Sequence, residues 1–433
     1  MKKSFEKLLQ LITKYSFYTF VFILPWQIKY IISPAGTNYT EISIYLSQIF
    51  LTISVLSYLI YRIRKSNYCQ KVPFLWLMVS GFSLFVFVSF FIAIDKNLAY
   101  YRFIVYLISL GLFYLLRQEN RPEAYENTLI SKSKTIIVFL SSIFFQAILA
   151  IYQFLSQSAF AFKYLGLAEH QPDFLGTSVV ETATGRWLRA YGGFDHPNIL
   201  GGVLALSLIL ALFLLVRKKL ITSKYEIMQS LFLFIFYFTG LLALIFSFSR
   251  SAWFAYSVSL IILLIVFLLK RNISAFKRSL IIVFFTLILS VVIYIPFNDL
   301  FITRIEANNR LEEKSLNERS EQIVECREVL ENNWLFGVGL GNYTNVLKER
   351  DQIKKADWNY QPVHNTFLLI FSELGLFSLI FFFGIIIALA KDERKSLYFW
   401  PIIISLFVLM FFDHWLLSLP FGLTFLLFIL GLI

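Results

Sequence analysis

The sequence predicts an all-α polytopic membrane protein of about twelve transmembrane helices, with a long extracytoplasmic loop between the ninth and tenth. Three observations carry that prediction. Of 433 residues, 58% are hydrophobic and 49 are phenylalanine, more apolar side chain than one water-soluble core can bury. Runs of about 17–25 residues almost free of charge recur along the chain, the length a helix needs to cross roughly 30 Å of hydrocarbon. Lys and Arg gather in alternate short connections between those runs.

The expected spans are Ser16–Ile32, Ile42–Tyr61, Phe74–Ile94, Ala99–Leu116, Thr135–Leu155, Asn198–Val216, Met228–Phe248, Ala252–Leu269, Leu280–Phe297, His364–Ala390, Leu397–Phe412 and Leu417–Ile433. The basic connections fix orientation. Lys2, Lys3, Lys7 and Lys14, then Arg62, Arg64, Lys65 and Lys71, then Arg117, Arg121, Lys132 and Lys134 fall on one face. Arg217, Lys218, Lys219 and Lys224, then Lys270, Arg271, Lys277 and Arg278, then Lys391, Arg394 and Lys395 continue the series. By the positive-inside rule that face is cytoplasmic and holds both termini, with residues 1–433 forming one integral membrane domain. The net charge of +12 is then topology. Spread over separate loops, these cations form no stripe that would bind nucleic acid. The first apolar run ends at Pro25 and Trp26 without a small-residue cleavage site and reads as an uncleaved anchor. Cys69 and Cys326 fall on opposite sides of this topology, so no disulfide is expected between them.

Two extracytoplasmic segments are too long to be turns, residues 156–197 and 298–363. The second opens with a charged stretch, Arg304–Arg327, that reads as one or two amphipathic helices with Ile323, Cys326, Leu330 and Trp334 along one side. Next comes GVGLGNY, with Gly337, Gly339 and Gly341. Lacking a strand before and a helix after, it is not a dinucleotide-binding turn. Its glycines read as a tight loop against the membrane surface, or as backbone amides free to approach a phosphate.

Three residues stand out chemically. Arg250 is the only charge between Ile227 and Leu269, at the tip of a hairpin of two spans and flanked by Ser247, Ser249 and Ser251. It reads either as a side chain snorkelling to lipid phosphate or as a fixed phosphate ligand, for which the guanidinium fork is suited. Arg319 lies on the charged helix, either solvated or facing the same ligand. His364 opens an apolar run, at the water boundary where a titratable imidazole can act on a lipid-borne substrate or simply end a helix. The external carboxylates show no metal-ligand spacing, so neither metal nor cofactor is expected.

Taken in order, FSFSRSAW, NERSEQIVECREVL, WLFGVGLGNY and HNTFLLIFSELGL resemble the O-antigen ligase and polymerase family of bacterial membrane glycosyltransferases. The ligase signature of that family is met by His364, Asn365 and Gly375, with Ser378 where the signature has Gly, Thr or Tyr. YGGFDHPNILGG (191–202) and FFDHWLLSLPFG (411–422) are also similar to segments of its members. The resemblance implies a bacterial inner-membrane enzyme that transfers a glycan from undecaprenyl diphosphate to a sugar hydroxyl of a glycan or glycolipid acceptor, with inversion and without a metal. It implies His364 as the base and Arg250 with Arg319 as diphosphate ligands. Asp195 is a second candidate base, and Asp413 either orients His364 or caps a helix break beside His414. A different reading of the same arginines is a transporter or flippase for polyprenyl glycans, which discontinuous helices and inverted repeats would favour.

Overall fold

The computed structural model describes residues 2–37, 39–65, 73–120, 128–183, 185–217, 223–306, 310–352, 354–393 and 396–433. Cys69, Lys71, Arg121, Lys218, Lys219, Arg394 and Lys395, on which part of the topology expectation falls, lie outside the described residues. The chain runs α1 (Lys2–Ile23), β1 (Lys29–Ser33), β2 (Ile42–Tyr45), α2 (Leu46–Lys65), α3 (Phe74–Ile92), α4 (Lys96–Glu119), α5 (Lys132–Ser156), β3 (Val179–Thr182) and β4 (Gly185–Leu188). There follow α6 (Pro197–Arg217), α7 (Lys224–Phe246), α8 (Arg250–Leu269), α9 (Ile273–Tyr294), α10 (Asn298–Glu306), α11 (Arg310–Asn333) and α12 (Tyr343–Arg350). The chain closes with α13 (Thr366–Glu393), α14 (Phe399–Phe412), α15 (Trp415–Ser418) and α16 (Pro420–Leu432).

Among the described residues, nine helices are long and apolar enough to cross a membrane: α2 to α9 and α13. Two further apolar helices, α14 and α16, are shorter. Polar contacts collect the basic ends. Gln10 bonds the Tyr61 hydroxyl (3.0 Å), Arg117 pairs with Glu393 (3.0 Å), and Asn120 reaches the Gly431 carbonyl (3.2 Å). The start of α1 and the ends of α2, α4, α13 and α16 therefore share one end of the bundle. α6 is the central helix, buried almost throughout its length, as a helix apolar on every side must be.

Two span boundaries and one helix face differ most from the sequence reading. The first expected span stops at Ile23, because residues 29–33 and 42–45 pair as an antiparallel hairpin rather than continuing helices. β-branched Ile31, Ile32, Ile42 and Ile44 favour that pairing. The last expected span breaks at Leu419, where Pro420 takes the first position of a new helix. The expected apolar stripe of α11 is only half buried: Cys326 is buried and Leu330 packs on the core, but Ile323 and, just past the helix, Trp334 are exposed, while Glu312, Gln322 and Val329 also turn inward. The polar members of that inward face, Glu312 and Gln322, belong to a site, while Cys326 and Val329 join the core.

The glycine loop has a specific partner. Helix α13 is broken at Gly375 (φ 82°, ψ 175°), and the GVGLG segment docks into the break. Val338 N–H donates to the Ser372 carbonyl (2.9 Å), Gly339 N–H to that of Glu373 (2.9 Å), and Leu376 N–H to that of Trp334 (2.9 Å). The Glu373 carboxylate accepts from Gly341 N–H (2.8 Å). These amides are committed within the protein, which removes the phosphate-cradle reading. A Cβ at Gly375 would overlap the Leu335 carbonyl oxygen in a backbone region that disfavours side chains. Gly375→Ala should therefore cost at least about 2 kcal/mol, measured as a lower unfolding temperature in detergent. An unchanged transition would contradict the docking.

Candidate functional site

Opposite the basic end, two groups of side chains converge. The first surrounds the turn between α7 and α8. Phe248 adopts a left-handed conformation (φ 47°), costly for a bulky residue. It is held there by burial against Trp253 and Phe301 and by its carbonyl, which accepts from Arg304 Nε (2.8 Å). That turn makes Arg250 the first residue of α8. Arg250 Nη2 pairs with Glu312 Oε2 at 2.9 Å, Arg250 Nη1 donates to the Arg304 carbonyl at 3.3 Å, and Arg304 pairs with the other oxygen of Glu312. Seven residues on, two turns along the same face of α11, comes Arg319. With Asn198, Ser251, Phe254, Leu316 and Phe412, the three arginines line a cavity of about 290 Å³.

The charge in this cavity is unbalanced. Three guanidinium groups face the single buried carboxylate of Glu312, which Arg250 and Arg304 share. Arg319 has no hydrogen bond or ion pair among the described residues, and its Nε is buried without an acceptor. Burial lowers its pKa; the Asp413 carboxylate opposes this more strongly than the neighbouring Arg250 adds to it, and Glu312 opposes it weakly. Two walls are apolar: Phe254 is exposed and Leu316 nearly half exposed. A cationic chamber with an apolar side suits an amphiphilic anion.

The second group forms where α13 begins beside the α14–α15 junction. Asp413 leaves helical geometry, and its carbonyl accepts from both the amide (3.0 Å) and the hydroxyl (2.7 Å) of Thr366. Asn365 caps α13 by accepting from Leu368 N–H (3.0 Å) and donates to the Phe411 carbonyl (3.1 Å). These bonds bring His364 edge-on to His414, with ring centroids 4.9 Å apart. The Gln322 amide oxygen lies 2.7 Å from His364 Nδ1 and also accepts from the His364 N–H (3.3 Å). An amide oxygen only accepts, so Nδ1 carries the proton and Nε2 holds a lone pair. His414 Nδ1 is 2.7 Å from the Ser418 hydroxyl. The Asp413 carboxylate accepts from His414 N–H (2.8 Å) and from Asn198 Nδ2 (3.2 Å).

Burial sets the protonation states. It lowers the pKa of His364, outweighing the Asp413 carboxylate, and takes His414 down to about 3. Both rings are neutral near pH 7. Burial pushes Asp413 up, but the surrounding histidines outweigh it and hold the carboxyl below its ordinary value. The two groups are joined through Asn198, whose Oδ1 accepts from buried Arg189 (2.7 Å) while its amide donates to Asp413.

Of the residues reached from sequence, the structure brings Arg250 and Arg319 into one cavity and His364, Asn365 and Asp413 beside it. Asp195 opens onto a separate recess of about 70 Å³ with His170 and Phe194. Tyr39 lies between these places, its ring 5.0 Å from that of His414 and within electrostatic range of both Asp413 and Asp195. Arg304, Glu312, Gln322, Asn198 and His414 are members that sequence reasoning misses. Glu312, Arg319 and Gln322 share a helical spacing that a search for a polar face would detect. The distant pairing of Asn198 with Asp413 leaves no local trace.

The fold also creates a metal-competent cluster that residue spacing does not reveal. The ligand atoms of His364, Asp413 and His414 lie within 4.8 Å of one another. With each Nδ1 held by Gln322 or Ser418, the two Nε2 atoms and the carboxylate match the donor set of a divalent transition metal.

The architecture defines a multi-pass helical membrane protein with a half-buried arginine chamber next to a neutral histidine pair. Residues 235–383 match the family model for O-antigen ligase, and this stretch is an O-antigen ligase family region. It runs from within α7 into α13 and contains Arg250, Arg304, Glu312, Arg319, Gln322 and His364, while Asp195, Asn198, Asp413 and His414 lie outside it. No curated protein matches the chain.

Proposed function

We propose that this protein is a glycosyltransferase of the inner membrane that joins a glycan carried on undecaprenyl diphosphate to a sugar hydroxyl at the extracytoplasmic face, as an O-antigen ligase or a surface-polysaccharide polymerase. One observation supports it above the others: Arg319, unpaired beside two more arginines in a cavity with an apolar wall. A half-buried guanidinium whose Nε is buried without an acceptor favours a ligand that supplies negative charge, and the exposed phenylalanine gives its lipid tail a way out.

In this reading the acceptor hydroxyl gives its proton to His364 Nε2 as its oxygen attacks the anomeric carbon. The bond from that carbon to the diphosphate oxygen breaks on the opposite face, and the lipid diphosphate leaves with the electron pair. Arg250, Arg304 and Arg319 offset the charge that develops on it, before any proton reaches it. Gln322 keeps the imidazole in the tautomer that accepts. Glu312 aligns two of the guanidinium groups and leaves the third for the ligand. The described basic residues at the helix ends away from this site, Arg117, Lys132 and Lys391 among them, support a cytoplasmic placement of both termini.

The transporter reading is not favoured. Its discontinuous helix is present at Gly375, but the GVGLG loop fills the break and takes up the freed backbone groups, whereas a transport site leaves them to its ion or substrate. The arginines supply charge stabilisation without a metal, so transfer should proceed at the same rate in excess EDTA and yield the anomer opposite to the donor's. Chelator-sensitive transfer restored by zinc would instead assign His364, Asp413 and His414 to a metal.

A further inference from the structure

Helix α11 separates two clefts. Successive residues turn by about 100°, so Glu321 projects nearly opposite to Arg319. On that opposite side is a second cavity of about 570 Å³, lined by Glu313, Asn317, Glu321, Gln322, Asn359 and Gln361 among others. Its volume falls in the range of about 300–1,000 Å³ typical of small-molecule sites. Resting on the transferase reading, we propose that this cleft holds the acceptor saccharide, and that the saccharide is uncharged where it binds.

The cleft's cations are already paired. Lys314 meets Glu318 (3.6 Å), Lys355 meets Glu325 (3.0 Å), and Arg310 reaches Glu181 (3.7 Å). Among the described residues Glu313 and Glu321 have no counterion, and with Asn317, Asn359 and Gln361 they offer carboxylate and amide groups. Such groups hydrogen-bond sugar hydroxyls and repel phosphate or uronate. The arginine chamber has the reverse character, so donor and acceptor are sorted by charge to the two sides of one helix.

Gln322 connects the cleft to the chemistry. It is 7% exposed and lines the cleft. Its Oε1 is taken by His364, while its Nε2 has no acceptor among the described residues. An amide whose N–H groups are unused and open to a polar cleft is placed to donate to a sugar hydroxyl there. A sugar bound to Gln322 Nε2 would lie one side chain from the base.

The test uses the full-length protein in detergent. Asn317→Cys, labelled with a bulky maleimide, should transfer at least about tenfold more slowly than the same variant unlabelled, with affinity for undecaprenyl diphosphate unchanged. Buried Cys326 is shielded, and maleimide-treated wild type controls for Cys69. Glu321→Gln should raise the acceptor KM about three- to tenfold, leaving kcat and the donor KM in place. A labelled Asn317→Cys protein that keeps its acceptor KM would place the acceptor elsewhere. Failure of the transferase reading looks different: the wild type itself would release no lipid diphosphate, and this assignment would fall with it.

Discussion

Replacing His364 with alanine is expected to lower turnover by roughly 10²- to 10⁴-fold, the range for a lost general base, while the affinity for undecaprenyl diphosphate stays near that of the wild type. Donor binding should persist because the arginine chamber is built from α8, α10 and α11, and His364 lines no part of it. The same residue sets the acid limb of the rate profile. Burial lowers its pKa below the ordinary value near 6.5, so the base remains unprotonated at pH 7 and activity falls only as the pH drops through that lowered value. An acid limb above 6.5, or alanine turnover within a few-fold of wild type, would remove His364 from the mechanism. Asp195 would then be the next candidate base, although its recess is separate from the arginines.

The second large effect belongs to the arginines. Arg250→Lys retains the charge but loses the fork that meets Glu312 with one nitrogen and the Arg304 carbonyl with another, and transfer should fall about 10- to 100-fold. Part of that loss would be structural, because Arg250 also ties α8 to α10 and α11. Arg319→Lys separates the two contributions. With no hydrogen bond or ion pair among the described residues, its guanidinium contributes little to folding, so its unfolding temperature should hold while transfer and lipid-diphosphate binding decline. Wild-type activity in both variants would return these side chains to a role at the lipid surface.

The features legible in the sequence are those set by local physics. Uninterrupted apolar runs give most spans to within a few residues, since the cost of unsatisfied backbone in hydrocarbon leaves helix as the answer. Arg250, alone in two apolar runs, and His364, at the mouth of another, are visible because charge in such a place is unusual. Where several outcomes share one composition, the sequence is silent. Residues 16–32 are as apolar as a span, but the end of the helix at Ile23 and the β1–β2 pairing depend on a partner strand ahead in the chain. Ile323 and Trp334 suggest an apolar face for α11, whereas the face that packs inward is chosen by what it must meet: an arginine chamber, a histidine and the polar lead-in to α13. His414 and Asn198 are ordinary polar residues until the fold sets them against Asp413, 215 positions from Asn198.

Transfer and transport are separated most directly in detergent, where there is no second compartment and movement across a membrane has no meaning. Purified protein, given a labelled undecaprenyl-diphosphate glycan and an acceptor saccharide in micelles, should release free undecaprenyl diphosphate in step with a lengthened glycan. His364→Ala should bind the same donor and release almost none. Donor bound by the wild type with no lipid diphosphate released, for any acceptor offered, would contradict the account and leave the arginine chamber as a binding site without chemistry.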